Sequence, residues 1–237
     1  MNNRKIAFGF LLILIAGAGA YAQQDNERDF ETEPVEGGKS VSIVYYTGKN
    51  TNVRIPQRIK NLPVTVIGEG AFMDSRLAGV AIPNGVTVIE SYAFSDNNIA
   101  GLAIPNSVTS IKEKAFFKNK LASLTIPNSV KSIGKEAFAV NNLANVTISN
   151  GVTHIGDRAF AWNKLTSVTI PASVTVIEGE AFVGNSIIKI TIGENVEFKY
   201  DAESQAGPFD GGFANFYNSN RRRAGTYTFG SGRWSRS

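Results

Sequence analysis

Residues 121–142 read LASLTIPNSVKSIGKEAFAVNN, and the stretch does not stand alone. The 22 residues before it are IAGLAIPNSVTSIKEKAFFKNK, and the 22 after it are LANVTISNGVTHIGDRAFAWNK. A fixed step of this length marks an array of stacked supersecondary units, none of which can bury its faces alone. Within the unit, Leu124 and Ile126 alternate with Ser123 and Thr125, the period of a short strand with one buried face. Pro127 stops that strand because it has no N–H to donate, and Asn128-Ser129 supplies turn chemistry. Val130 and Ile133 form a second inward run on the opposite wall, and Ala137-Phe138 closes the coil with a large filler.

The ladders run through the chain at the same step. Phe72, Phe94, Phe116, Phe138, Phe160 and Phe182 form one, and Ile82, Ile104, Ile126, Ile148, Ile170 and Ile192 another. Val86 to Val196 repeats four places after the Ile, and Asn97, Asn119, Asn141, Asn163 and Asn185 make a polar ladder. The Phe ladder reads as a core spine. The Asn ladder reads as amides bonding turn backbone in their own and adjacent coils, since a solenoid must satisfy every tight bend.

The pattern LxxLxIPxxVxxIxxxAFxxN resembles the BspA-like, or Treponema pallidum type, class of bacterial leucine-rich repeats, over residues 41 to about 198. The fold expected is a β-rich solenoid, a leucine-rich-repeat array of 22-residue coils with N-terminal and C-terminal caps. The resemblance implies an exported or surface-exposed protein, some relatives being adhesins for host matrix proteins or other bacteria. It carries over no binding motif residue by residue.

Residues 1–22 read as an export signal: Arg4 and Lys5, an apolar run over residues 6–15, then Ala20-Tyr21-Ala22 before Gln23. Residues 23–40 hold six acids against Arg28 and Lys39 and read as an acidic disordered spacer. Residues 41–66, where Val41, Ile43 and Tyr45 alternate, form the N-terminal cap, with an insertion near residues 57–63. Repeats occupy residues 67–198. They end where Lys199 replaces an expected Ile and Glu203-Ser204 an expected Ala-Phe. Residues 199–237 form a C-terminal cap module, similar to the segment that follows such repeats in some spirochaete proteins. Phe209, Phe213, Phe216 and Tyr217 pack on the last coil, and Tyr227, Phe229 and Trp234 sit in a hairpin.

Catalytic chemistry is sparse. The chain has no Cys, which excludes disulfides, thiolate metal sites and a lipidated N-terminal cysteine. Its one His, His154, occupies a variable surface position, and no metalloprotease, nucleophile-elbow, phosphate-loop or calcium-loop motif occurs. No enzyme activity, cofactor or metal is expected. Of 24 basic residues, removing Arg4 and Lys5 leaves 22 against 20 acids, a net +2, which is weak support for nucleic acid or anionic membrane.

The outward positions of the main strand wall, such as Ser123/Thr125 and Asn145/Thr147, are small and nearly uncharged. Larger candidates, Phe117, Lys118, Trp162 and Lys164, fall in the bends after the Phe ladder, where variation is tolerated and function concentrates. Arg221, Arg222 and Arg223 form a basic turn between strands. The expected partner is a protein, such as host extracellular matrix or a bacterial surface protein, with a glycan as a further option and nucleic acid excluded by export. Phe117, Trp162, Arg221, Arg222 and Arg223 are the candidate partner-binding residues. The competing reading is a periplasmic or envelope scaffold.

Overall fold

The computed structural model describes residues 25–200 and 207–237. The segment expected to be an export signal, Gln23, Glu203 and Ser204 lie outside these residues.

Each 22-residue unit is one turn of a solenoid with two strand walls. The second inward run of every coil joins a 10-stranded sheet, ordered Phe30–Pro34, Val41–Tyr46, Leu62–Ile67, Val88–Ile89, Ser110–Ile111, Ser132–Ile133, His154–Ile155, Val176–Ile177 and Glu197–Phe198, with Arg58–Ile59 paired to its side. From Val41 onward the path is parallel and the register is the repeat itself: Ser132 faces Ser110 and His154, and Ile133 faces Ile111 and Ile155. The other wall consists of shorter parallel pairs, such as Ser123–Ile126 with Asn145–Ile148. From residue 68 onward only two to six residues of each coil are strand, so neither wall has enough surface to stand without its neighbours.

Between the walls runs the aromatic spine. From Phe72 to Phe182, successive rings lie 4.9 to 5.6 Å apart and within 17° of parallel. Such offset stacks add about 0.5–1.5 kcal/mol each beyond burial.

The spine is longer than the regular step suggests. At the N-terminal end Tyr46 stacks on Phe72 at 5.3 Å. At the other end Phe209 stacks on Phe182 at 4.9 Å and 4°. The Phe182 N–H donates to the Pro208 carbonyl as Phe160 N–H does to Ala181, so Pro208-Phe209 takes the part of Ala-Phe. Phe198 pairs with Ile177, 21 residues earlier, and so does the job expected of an Ile at position 199. The one-residue deletion before Phe198 and the wider spacing to Phe209 obscure the step, and the spine continues past residue 198 at Phe209.

Three other expectations need correction. Residues 30–34 of the acidic segment are not spacer: Phe30–Pro34 pairs antiparallel with Val41–Tyr46 and buries Phe30 against Tyr46 and Phe72. One apolar anchor in an otherwise charged strand suffices to dock it. Tyr45 points outward, 56% exposed, and Tyr46 inward, because the pairing with Phe30–Pro34 bulges at Val44: Glu31 faces Tyr45 and Thr32 faces Ile43, and the extra residue shifts the strand's alternation. The Arg run lies not between two strands but between the helix Phe213–Ser219 and the strand Gly225–Gly230. The helix buries Phe213 and Tyr217 in an aromatic cluster, with Tyr227 and Trp234 edge-on to Phe213 and Phe198 tilted against both. Gly225–Gly230 pairs antiparallel with Lys189–Ile192 and with Arg233–Arg236, so the hairpin extends the strand wall. The insertion at residues 57–63 is a small hairpin, Arg58–Ile59 with Leu62–Ile67, whose turn residues Lys60 and Asn61 have φ 48 and 68.

Candidate functional site

The bend after the second wall is built on left-handed residues. Two places before each spine Phe stand Gly70, Tyr92, Lys114, Glu136, Arg158 and Glu180, and two places after it stand Asp74, Asp96, Lys118, Val140, Trp162 and Gly184, all with φ between 51 and 69. A non-glycine residue in this region costs about 1–2 kcal/mol. Hydrogen bonds to the next coil hold it there: the N–H groups of Glu136, Phe138 and Val140 donate to the carbonyls of Asp157, Ala159 and Ala161 at 2.8 to 3.0 Å. The bend edge thus presents one side chain per coil, in the same orientation, on bonded backbone.

The Asn ladder fixes the same bend from inside. Asn141 Oδ1 accepts from the Leu121 N–H at 3.1 Å, while its Nδ2 donates to Phe116, Phe138 and Ala139 carbonyls at 3.0 to 3.3 Å. Asn97, Asn119 and Asn163 repeat the arrangement. These amides are buried and bond both their own and the preceding coil, which makes them structural clamps.

On the outer ladder Lys118, Val140 and Trp162 are consecutive and exposed, Trp162 at 47%. The Trp162 indole lies over Gly184: a Cβ there would come within 2.5 Å of its Cδ1. Phe117 is half-buried, with the Lys118 and Lys114 ammonium groups 5.2 and 5.8 Å from its ring centre. Ion pairs join the coils along this edge, Lys118 to Asp96 at 3.6 Å, Lys114 to Glu136 at 3.7 Å and Arg158 to Glu180 at 2.5 Å. Nearby, the hydrogen-bonded Asp157 carboxylate holds Lys135 above the ordinary lysine range. The edge is therefore a strip of cationic, aliphatic and indole groups, beside an acidic pair at Asp74 and Asp96.

The Trp162 end meets a cleft. Asp210 Oδ2 accepts from the Gly184 N–H at 2.9 Å, and Asp210 lines an apolar cleft of about 240 Å³ with Phe182, Ile187, Ile188, Phe229 and Trp234. A second, shallow depression of about 760 Å³ runs along the strand wall over Ser123, Thr125, Asn145 and Thr147.

Arg221, Arg222 and Arg223 are exposed at the C-terminal end of the stack, on a different element from Phe117 and Trp162. Their turn is held by the Arg222 carbonyl, which accepts from Tyr217 Oη at 3.0 Å and the Asn195 N–H at 2.9 Å. His154 is half-exposed with Nε2 3.3 Å from Glu178 Oε1 of the next coil, an ordinary surface pair. Among the described residues no cluster of three or more metal-ligating side chains occurs, and no helix is long and apolar enough to cross a membrane.

The structure puts Phe117 and Trp162 on the bend edge together with Val140 and the charged ladder of Lys114, Glu136, Arg158 and Glu180, which the sequence pattern does not single out. The signal was faint: Gly70 and Gly184 each stand in one of the two ladders, hinting at the left-handed backbone that the other coils adopt without glycine.

A family model described as "BspA type Leucine rich repeat region" matches residues 65–189 in six copies. No curated protein matches the chain. Among solved structures it is similar to a T. pallidum leucine-rich repeat protein, at 26% identity and TM-score 0.66 over 71% of this chain and 81% of that one. It is also similar to a leucine-rich cell surface protein of Faecalibacterium prausnitzii, at 25% identity and TM-score 0.53 over 76% of this chain and 57% of that one. A likeness to the pneumococcal vaccine antigen PcpA, at 21% identity and TM-score 0.60, covers 76% of this chain and 52% of that one and shows the fold alone. The chain spans only just over half of the latter two proteins.

Proposed function

Since the chain belongs to the BspA-type leucine-rich repeat family, we propose that it is an exported, surface-exposed module that binds proteins along its bend edge. The observation that carries this reading is the run of exposed Lys118, Val140 and Trp162 on consecutive coils, held by inter-coil hydrogen bonds and flanked by Phe117 under two lysines. Rigid aromatic anchors with cations beside them are the residue types that dominate protein recognition, because little side-chain freedom is lost on binding. The surface suits a large partner better than a small substrate, since its contacts spread over several coils.

In this reading the chain acts as an adhesin for host matrix protein or another bacterium's surface protein. Trp162 and Phe117 are the anchors, and Arg221 to Arg223 add a salt-sensitive contact. A panel of matrix proteins and surface glycans offered to the chain from Gln23 onward tests it. Binding should weaken at least tenfold in Trp162→Ala with Phe117→Ala, and its salt dependence should flatten when the three Arg are replaced. Binding indifferent to all these changes sinks the reading. The envelope-scaffold alternative draws on the small, uncharged strand wall around Ser123 and Thr125; protease resistance of the chain on intact cells would favour it over adhesion.

A further inference from the structure

The strand wall that includes Ser167–Thr169 continues past the last repeat, through Lys189–Ile192 and Gly225–Gly230, and ends on Arg233–Arg236. Among the described residues no strand lies beyond Arg233–Arg236, so one side of it is an open edge. The Ser237 N–H donates inward to the Thr226 carbonyl at 3.0 Å. Bonding alternates along an antiparallel pair, so the register of Thr228 with Ser235 and Gly230 with Arg233 turns the backbone of Ser235 and Arg233 inward as well. The N–H and C=O groups of Trp234 and Arg236 are thereby aimed at the open side. This edge is basic. Arg233, next to the buried Trp234, is exposed on the opposite face. The Arg236 Nε and Nη2 donate to the Ala224 carbonyl at 3.2 and 2.6 Å, which sets that side chain beside the Arg221 to Arg223 turn. Among the described residues none of these five guanidinium groups forms an ion pair; Arg222 donates to Asn218 Oδ1 at 3.1 Å instead. The wider surroundings do not cancel the charge: from residue 189 onward seven bases stand against five acids, a net +2.

We propose that the Arg233–Arg236 edge takes up an extended acidic segment of a partner protein, which joins the wall as a further strand while its carboxylates pair with Arg233, Arg236 and the Arg turn. The inference rests on the reading above for a protein partner, and adds that partner's chemistry and a second surface; the bend edge has no part in it. Main-chain bonds to Trp234 and Arg236 give affinity whatever the incoming sequence, and the charges select among sequences. A strand pair this short is marginal by itself, so the charges are needed as well. Arg suits the task because its planar fork holds a carboxylate through two parallel N–H groups. Charge on an edge strand ordinarily prevents pairing with a like strand. An edge that carries Arg alone repels a basic strand and admits an acidic one.

A fluorescent peptide of alternating Glu and Thr, about six residues long, offered to the chain from Gln23 onward, gives the test. It should bind at about 0.01 M salt and at least tenfold more weakly at about 1 M, where charges act over only ~3 Å. The same peptide with Lys for Glu should not bind. A version N-methylated at every backbone nitrogen keeps its charge but cannot donate to a ladder, and should bind at least tenfold more weakly. Amide hydrogen exchange at Trp234 and Arg236 should slow in the bound state, with Ser235, already bonded inward, as the internal reference. Arg233→Glu, and separately Arg221→Ser with Arg222→Ser and Arg223→Ser, should each weaken binding at least tenfold while melting like the parent. Binding at Trp162 and Phe117 is read by other variants, so the two readings can fail separately. No binding of the acidic peptide, or equal binding of the basic or N-methylated one, overturns the proposal. Unchanged exchange at Trp234 and Arg236 also overturns it, since it would mean plain charge attraction of the kind a polyanionic sugar shows. So does a dimer, found by sedimentation without peptide and broken by Arg233→Glu, which would assign the edge to a second copy.

Discussion

Two ladders one residue apart run the length of the repeats and behave in opposite ways. Asn97, Asn119, Asn141 and Asn163 are buried and identical; their neighbours Asp96, Lys118, Val140 and Trp162 are exposed and all different. Each Asn amide answers backbone groups of two coils, which an apolar side chain there could not do. Each neighbour holds the bend by giving its backbone N–H to the next coil, so the bend does not depend on which side chain stands there. Constancy on the inside is what permits variety one residue further along, and the variety is where recognition can reside.

The largest blow to the inner side should come from Phe138→Ala. Its ring lies between Phe116 and Phe160 at 5.4 and 5.6 Å, and neither coil can collapse into the gap without breaking its own bonds. A loss of about 3–5 kcal/mol is expected in denaturant unfolding. An unchanged midpoint would mean that the spine does not hold the stack. Next comes Asn141→Ala, at about 1–3 kcal/mol, for the backbone groups it leaves unanswered. Asn141→Asp should be worse than Ala, since a carboxylate would face the three carbonyls to which the amide now donates. If Asp is the milder change, the amide assignment is wrong.

Smaller again is a pH effect that separates the ends from the middle. The middle coils carry Phe in the spine, which cannot titrate, whereas Tyr46 begins it and Tyr217 and Tyr227 close the far end. Burial pushes Tyr46 up to about 12, with Asp25 adding to it, and burial also raises Tyr217 and Tyr227. A raised phenol favours the neutral form in the folded chain. The stability it adds is therefore fully present below the unfolded value of about 10, and is lost as pH rises from there toward 12. Thermal unfolding should weaken above pH ~10, and Tyr46→Phe should flatten that decline. An equally steep decline in the variant would dissociate Tyr46 from it.

On the outer ladder the expected effects are small or favourable. Val140→Gly relieves a β-branched residue at φ 56 and should leave stability unchanged or raise it by about 1 kcal/mol. Lys118→Ala removes a pair with Asp96 that is half in solvent, and should cost less than about 0.5 kcal/mol. A large loss in either would place the outer ladder among the structural elements.

Much of this was readable before any coordinates, because a repeat states each structural requirement several times over. Ile126, Val130 and Phe138 each recur at a fixed step, and an amide that recurs identically beside an apolar spine points to backbone bonding. What stayed hidden was whatever departs from the step. Phe198 arrives one residue early and Phe209 several late, so the last coil looked like the end of the array. Phe30 docks an acidic strand by a single ring, which composition averages away. The left-handed bend is only faintly marked, by Gly70 and Gly184, because Lys118, Val140 and Trp162 adopt it without Gly or Asn, held by hydrogen bonds to the neighbouring coil rather than by local preference. The sequence thus draws attention to Phe117 and Trp162 in the bends, but not to the bend's backbone geometry.

The division between the two ladders is tested most directly at residues 162 and 163, which are adjacent in the chain and opposite in role. The measurement is the thermal unfolding midpoint of Trp162→Ala beside that of Asn163→Ala. Asn163 answers the Leu143 N–H and the Phe138, Phe160 and Ala161 carbonyls, so its loss of about 1–3 kcal/mol should lower the midpoint by about 2–12 °C. Trp162, resting on Gly184 with nearly half its surface in solvent, should shift it by less than about 2 °C. Equal shifts, or a larger one for Trp162, would contradict the account.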